Sequence, residues 1–128
     1  MTRTKWFPLV VVAIVVAAGA WTMAQNKFGT PKTIVHLSLI KWKAGVSDVD
    51  KKKALDGVKE MAGKIPGIRN VWTKGVRMQP EGYTDAFAIE FENQAAADRY
   101  AKDPVHEAWS KAFLAIREAS ISPQVSND

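Results

Sequence analysis

Residues 65–109 read IPGIRNVWTKGVRMQPEGYTDAFAIEFENQAAADRYAKDPVHEAW, and the order of signals in this stretch decides the fold. Ile65-Pro66-Gly67 stops a helix, because proline disfavours helical geometry in the residue before it and glycine accepts the turn. Ile68 to Met78 then reads as a strand, with Val71 and Trp72 as its best β-formers. Gln79-Pro80-Glu81-Gly82 is a turn in which proline presets the first central dihedral and glycine fits the last position. Tyr83 to Glu92 is the clearest strand, with Phe87, Ile89 and Phe91 alternating with Ala86, Ala88 and Glu90. Asn93 caps a short helix over Gln94 to Lys102. Asp103 caps the next helix, and Pro104 takes its first position, where a missing N–H costs nothing. Val105, Trp109, Ala112, Phe113 and Ile116 form the apolar stripe of that helix.

Upstream, Thr33 to Lys43 alternates, with Val35, Leu37 and Leu39 on one face and Ile34, His36, Ser38, Ile40 and Trp42 on the other. A period of two over this length predicts a strand with both faces at least partly covered. Ser47 is a helix N-cap, with Asp50 three residues on in place of the usual Glu of a capping box. Ala54, Leu55, Val58, Met61, Ala62 and Ile65 then recur on one helical stripe, with the lysines mostly toward water. Downstream, Ile121 to Val125 is expected as a last edge strand, where Pro123 is tolerated. The order β-α-β-β-α-α-β is a ferredoxin-like, split βαβ pattern: an α+β fold with an antiparallel sheet and its helices on one face. Such a sheet has a second apolar face to hide, made by Phe87, Ile89 and Phe91 or by their alternates. A two-fold homodimer is the commonest way to hide it.

The N-terminus has a different character. Arg3 and Lys5 precede an apolar run from Trp6 to Ala20, and Ala18-Gly19-Ala20 or Thr22-Met23-Ala24 offers small residues for cleavage. That is the anatomy of a secretory signal peptide over residues 1–24. The alternative is an uncleaved membrane anchor over residues 6–24, since a spanning helix needs about 20 apolar residues. Either reading delivers the rest of the chain outside the cytoplasm, periplasmic or secreted, with residues 25–32 as a polar linker and a domain over residues 33–125. The 128 residues contain no cysteine and two histidines, which excludes disulfides and thiolate chemistry, and the sequence holds no cluster at zinc-ligand spacing. The formal charge of +5 is spread over predicted helix faces rather than massed with aromatics, which argues against a nucleic-acid partner. Phosphate loops, dinucleotide fingerprints and nucleophilic serine motifs are missing too, so no cofactor is implied.

His36, Lys41-Trp42-Lys43, Ile65-Pro66-Gly67-Ile68, Glu81-Gly82-Tyr83, Phe91-Glu92, Tyr100 and Asp103-Pro104-Val105-His106, with an aromatic at Trp109, occur together in this order. In that combination the chain resembles the stress-responsive A/B barrel (Dabb) family over roughly residues 33 to 122. The resemblance implies a dimeric α+β barrel in which two ferredoxin-like sheets face each other. Most members have no assigned reaction. A plant branch closes linear polyketides by intramolecular aldol chemistry without cofactor, using a helix tyrosine and a histidine that align with Tyr100 and His106. The first-strand histidine of the family aligns with His36. Two positions depart from that branch: Asp103 stands where it has a histidine, and so does Asp85.

Tyr100 and His106 are therefore the candidate catalytic pair. His106 falls in the first turn of its helix, whose positive end disfavours imidazolium and leaves a neutral base. Tyr100 lies just before the Pro104 break, from which its phenol could reach across the bend. A neutral histidine and a phenol can move a proton from a carbon acid and stabilise the enolate. His36, Ile40, Trp42 and Trp109 are expected to line a binding cleft for a small apolar ligand. Two functional readings stay open. One is an exported dimeric module that binds an apolar small molecule or serves a stress-related role. The other is a cofactor-independent cyclase- or lyase-like enzyme.

Overall fold

The computed structural model describes residues 32–126. The targeting or anchor segment expected at residues 1–24, and the linker except for Lys32, lie outside the described residues. No helix among the described residues is long and apolar enough to cross a membrane. The elements run β1 (Ile34–Trp42), α1 (Asp48–Lys64), β2 (Ile68–Trp72), β3 (Asp85–Phe91), α2 (Gln94–Ala101), α3 (Pro104–Ile116), β4 (Arg117–Ile121) and β5 (Gln124–Val125). The sheet order is β2-β3-β1-β4, with β5 also on β1, and every pairing is antiparallel. This is the ferredoxin-like α+β fold, with β1 at the centre and the helices on one face.

Local chemistry sets the ends of the helices. Ser47 Oγ accepts the Asp50 N–H at 3.1 Å and donates to the Asp50 carboxylate at 2.7 Å. The shorter side chain of Asp50 thus turns to the cap's hydroxyl rather than to its backbone. Asn93 accepts the Ala96 N–H at 2.9 Å and Asp103 accepts the Val105 N–H at 2.8 Å. Each cap satisfies a backbone donor that the helix itself cannot, an effect of about 1 kcal/mol. α1 stops at Lys64, immediately before Ile65-Pro66-Gly67.

Register decides which face is core. Ile34, His36, Ser38 and Ile40 stand opposite Phe91, Ile89, Phe87 and Asp85, so these positions share the helix side. There Ile40, Ile89 and Phe91 have no exposed surface and join Val58, Met61, Tyr100 and Phe113 in one core. Phe87, Ile89 and Phe91 are thus buried under the helices within one chain. The uncovered face is built by their alternates: Val35, Leu37 and Leu39 beside Ala86, Ala88 and Glu90, with Trp72, Ile121 and Val125 around them. Trp72, Ile121 and Val125 are exposed on that face at 49%, 41% and 56%.

Three segments differ from the sequence reading. β2 ends at Trp72 rather than Met78, because Gly75 interrupts the run and the Met78 side chain folds into the space a Cβ would occupy there. The following turn closes with Tyr83 N–H on the Pro80 carbonyl at 3.3 Å. Pro80 is therefore its first residue, and Gly82, at φ +90°, supplies the left-handed position. Ahead of the edge strand expected at Ile121 to Val125, β4 begins at Arg117, directly on the end of α3, and Pro123 separates it from β5 at Gln124–Val125. Pro123 has no N–H to give, but its carbonyl accepts the Leu37 N–H at 3.0 Å and keeps the edge paired.

Candidate functional site

Tyr100 occupies the last turn of α2, and the Asp103 N–H reaches back to its carbonyl at 3.1 Å, fixing the reversal into α3. With Asp103 as cap and Pro104 in the first turn, His106 is carried onto the face of α3 that meets Tyr100. The two ring centroids lie 4.2 Å apart at 42°. The two rings pack directly against each other. Phe91 backs Tyr100 at 5.0 Å, and Trp109 flanks His106 at 6.1 Å. His36 comes from β1 and meets Phe87 at 6.1 Å, and Phe87 meets Trp109 edge-on at 5.6 Å. Nδ1 of His36 and Nδ1 of His106 are both buried without a hydrogen-bond partner. A buried polar nitrogen left unpaired is costly, so both rings are candidates for a ligand's hydrogen bond.

Burial is the main electrostatic influence here. It lowers the His36 pKa below the ordinary histidine value, helped by the charge that His106 would carry. It lowers His106 as well, against the Ala101 carbonyl and the carboxylates of Asp103 and Glu107, which pull upward. The direction for His106 is the one a helix N-terminus gives, but desolvation is the cause. Burial pushes the Tyr100 phenol well above the ordinary tyrosine range. At neutral pH the three groups are a phenol that donates and two imidazoles that are uncharged.

The structure thus brings together Tyr100, His106, His36 and Trp109, with Phe87 between them. Ile40 and Trp42 are placed differently. Ile40 is fully enclosed, and Trp42 packs edge-on to Phe113 at 5.9 Å. The Trp42 indole donates to Asp85 at 2.7 Å, and Thr84 donates to the same oxygen at 2.8 Å. Asp85 is accordingly spent on holding Trp42. Among the described residues no group of three or more His, Cys, Asp or Glu could hold a metal.

A second feature was not anticipated from the sequence. A groove of about 690 Å³ runs between α1 and α3, floored by Ala54, Gly57, Met61, Val105, Ala108 and Trp109. Of the Tyr100–His106 cluster, only Trp109 lines it. Trp109 donates to the Ala54 carbonyl at 2.8 Å, and its indole sits 2.5 Å from where a Cβ on Gly57 would be. Only glycine at 57 lets the indole cross α1 so closely. The run of small residues on facing stripes of two helices was the available signal.

Comparison with known proteins follows the same lines. No curated protein matches the chain. Among solved structures, a dimeric protein of unknown function with a ferredoxin-like fold from Bacteroides fragilis is 25% identical, with 77% of this chain and 99% of that chain covered and a TM-score of 0.60. A hydroxynitrile lyase from Passiflora edulis is 15% identical, covers 77% of this chain and 95% of its own, and has a TM-score of 0.69. A cofactor-independent oxygenase from Streptomyces nogalater is 9% identical, covers 74% and 92%, and has a TM-score of 0.62. The last two share the fold alone. The sequence model of the stress responsive A/B barrel domain matches residues 34–125, and the chain belongs to that Dabb family.

Proposed function

We propose that this Dabb domain is an exported homodimer that binds a small carbonyl compound between sheet and α3 and moves a proton on it with Tyr100 and His106. The observation that carries the reading is the 4.2 Å contact between those two rings, each held in its uncharged form. Neutral His106 takes the proton from the carbon next to the carbonyl. The Tyr100 phenol donates its hydrogen bond to the carbonyl oxygen as that oxygen gains charge. The imidazolium then returns the proton to carbon, so the cycle needs no oxidant or metal. His36 stays neutral when His106 takes the proton, because burial and the new charge on His106 both disfavour a second imidazolium. Proton transfer of this kind suits a cyclase- or lyase-like enzyme, and a hydroxynitrile lyase shares the fold. Homodimerisation is supported by the apolar outer face around Leu37 and Leu39 and by the dimeric Bacteroides fragilis neighbour. Export rests on the basic and apolar pattern of residues 1–24, with anchoring by residues 6–24 as its alternative.

The test is α-proton exchange in deuterium oxide, followed by NMR on a panel of simple ketones. The wild-type chain accelerates exchange, while Tyr100→Phe and His106→Ala lose it with melting temperatures within a few degrees. Absence of exchange in the wild type, or an equal collapse of stability in the variants, overturns the catalytic reading.

The groove between α1 and α3 supports a second reading, a non-catalytic binder of apolar molecules, because its volume falls in the range of small-molecule sites. Apolar compounds then raise the melting temperature by mass action. Filling the groove with Ala112→Trp removes that shift, and a library without any shift rules the reading out.

A further inference from the structure

The groove between α1 and α3 is long, narrow and charged differently at its two ends. Its lining runs from Asp50 to Lys64 on α1 and from Pro104 to Ile116 on α3. At about 1.5 Å of rise per residue, those spans make a trough of roughly 20 Å. Spread over that length, about 690 Å³ leaves a cross-section of roughly 35 Å². A helix with its side chains, about 10–12 Å across, needs at least twice as much, whereas an extended hydrocarbon chain fits. Ala54, Gly57, Val105 and Trp109 are half-buried along the trough, and Ala108 and Ala112 are exposed. A ligand that covers this apolar surface takes it out of water.

Lys43, just ahead of α1, donates its backbone N–H to the Ile116 carbonyl at 3.0 Å and its ammonium to the Ala115 carbonyl at 2.8 Å. The start of α1 therefore lies beside the end of α3. At this end Lys53 lines the groove. The acids around it are occupied. Asp48 pairs with Lys51 at 3.1 Å, Asp56 pairs with Lys52 and with Lys59, and Asp50 accepts the Ser47 hydroxyl at 2.7 Å. Lys53 has no ion pair among the described residues, and Lys43 adds a second positive charge close by. At the other end Glu60 and Lys64 stand one helical turn apart on α1 and balance each other in charge. The spare cation is at the Lys53 end.

We propose that the groove holds a single long-chain carboxylate, with its head at Lys53 and its tail running past Trp109 and Met61 toward Pro104. A C–C bond of about 1.5 Å advances a zigzag chain by roughly 1.3 Å, so a chain of about sixteen carbons matches the trough. This rests on the apolar-binder reading and deepens it by naming the ligand's class, length and direction.

The probes are hexadecanoate, its methyl ester and octanoate, each kept below its micelle concentration and titrated into the full chain by tryptophan fluorescence. The wild type binds the long acid about three-fold more tightly than the ester, the amount an exposed ion pair supplies. It binds the long acid at least about a hundred-fold more tightly than octanoate, because the shorter chain leaves half the trough uncovered. Lys53→Gln equalises acid and ester and keeps the dependence on chain length, while Lys64→Gln leaves the preference as it is. Ala112→Trp fills the groove and abolishes binding of acid and ester alike. All three positions are exposed, so the variants fold. Equal wild-type affinities for acid and ester overturn the proposal, and so does a preference lost in Lys64→Gln but kept in Lys53→Gln. Octanoate binding as tightly as hexadecanoate overturns it too, as does binding that survives Ala112→Trp. Ester binding without an acid preference leaves the apolar groove standing and removes the head site at Lys53. Absence of binding by both long probes removes the two together.

Discussion

Two imidazoles, His36 and His106, are partly buried near a phenol, and the sign of their titration has a measurable consequence. Both are harder to protonate in the folded chain than the ordinary value of 6.5, chiefly through burial. Below about that pH the unfolded chain takes up protons that the folded chain refuses, so stability falls as acid is added. Above it both states are neutral and the contribution is constant. Urea midpoints should therefore be flat on the alkaline side and decline once the pH drops below 6.5, and the double variant His36→Gln, His106→Gln should flatten the decline. A midpoint that rises on acidification would show that the rings are charged in the fold. The same residues show what a sequence can and cannot say about a site. Alternation in β1 places His36, Ile40 and Trp42 on one face, and the structure agrees about the face. It cannot say how far along that face each residue lies from His106. Ile40 and Trp42 are in the closed core, and only His36 reaches the cluster.

The Asp103-Pro104 signal fixes where α3 begins, and with it the place of His106. The family resemblance pointed to Tyr100 and His106, and the cap and proline explain how the chain brings them together. Removing the cap with Asp103→Ala should cost about 1 kcal/mol of stability, read as a lower melting temperature. Because the Asp103 charge also favours the protonated imidazole, its loss should lower the His106 pKa further. NMR titration of His106 checks this, and an upward movement would mean that the cap acts on the ring in some other way. Elsewhere the element boundaries depended on less visible chemistry. Val71 and Trp72 announced β2, but nothing before Gly75 announced its early end. β4 opens with Arg117-Glu118-Ala119-Ser120, whose polar residues hide the alternation of an edge strand, so the expected strand at Ile121 to Val125 reached β5 and only the last residue of β4.

For the molecule as a whole, the open question was which face of the sheet needs a partner. β1 directs Val35, Leu37 and Leu39 to the outside, whereas β3 directs Phe87, Ile89 and Phe91 to the inside. Each strand taken alone has two apolar faces, so only their mutual register separates core from interface, and register is a long-range property. Leu37→Lys on the outer face should yield a monomer with an unchanged far-ultraviolet spectrum in analytical ultracentrifugation. Ile89→Lys should instead unfold the chain, because it places a charge where no surface is exposed. A Leu37→Lys protein that still sediments as a dimer would move the interface elsewhere. The join between α3 and β4 carries a further consequence. Ile116 ends the helix, Arg117 starts the strand, and the Ile116 carbonyl is clamped by the Lys43 N–H at 3.0 Å. With no slack between them, the edge strand cannot peel from β1 without dragging the last turn of the helix. Amide hydrogens on either side of the join should then exchange with solvent as one cooperative unit, opening and closing together.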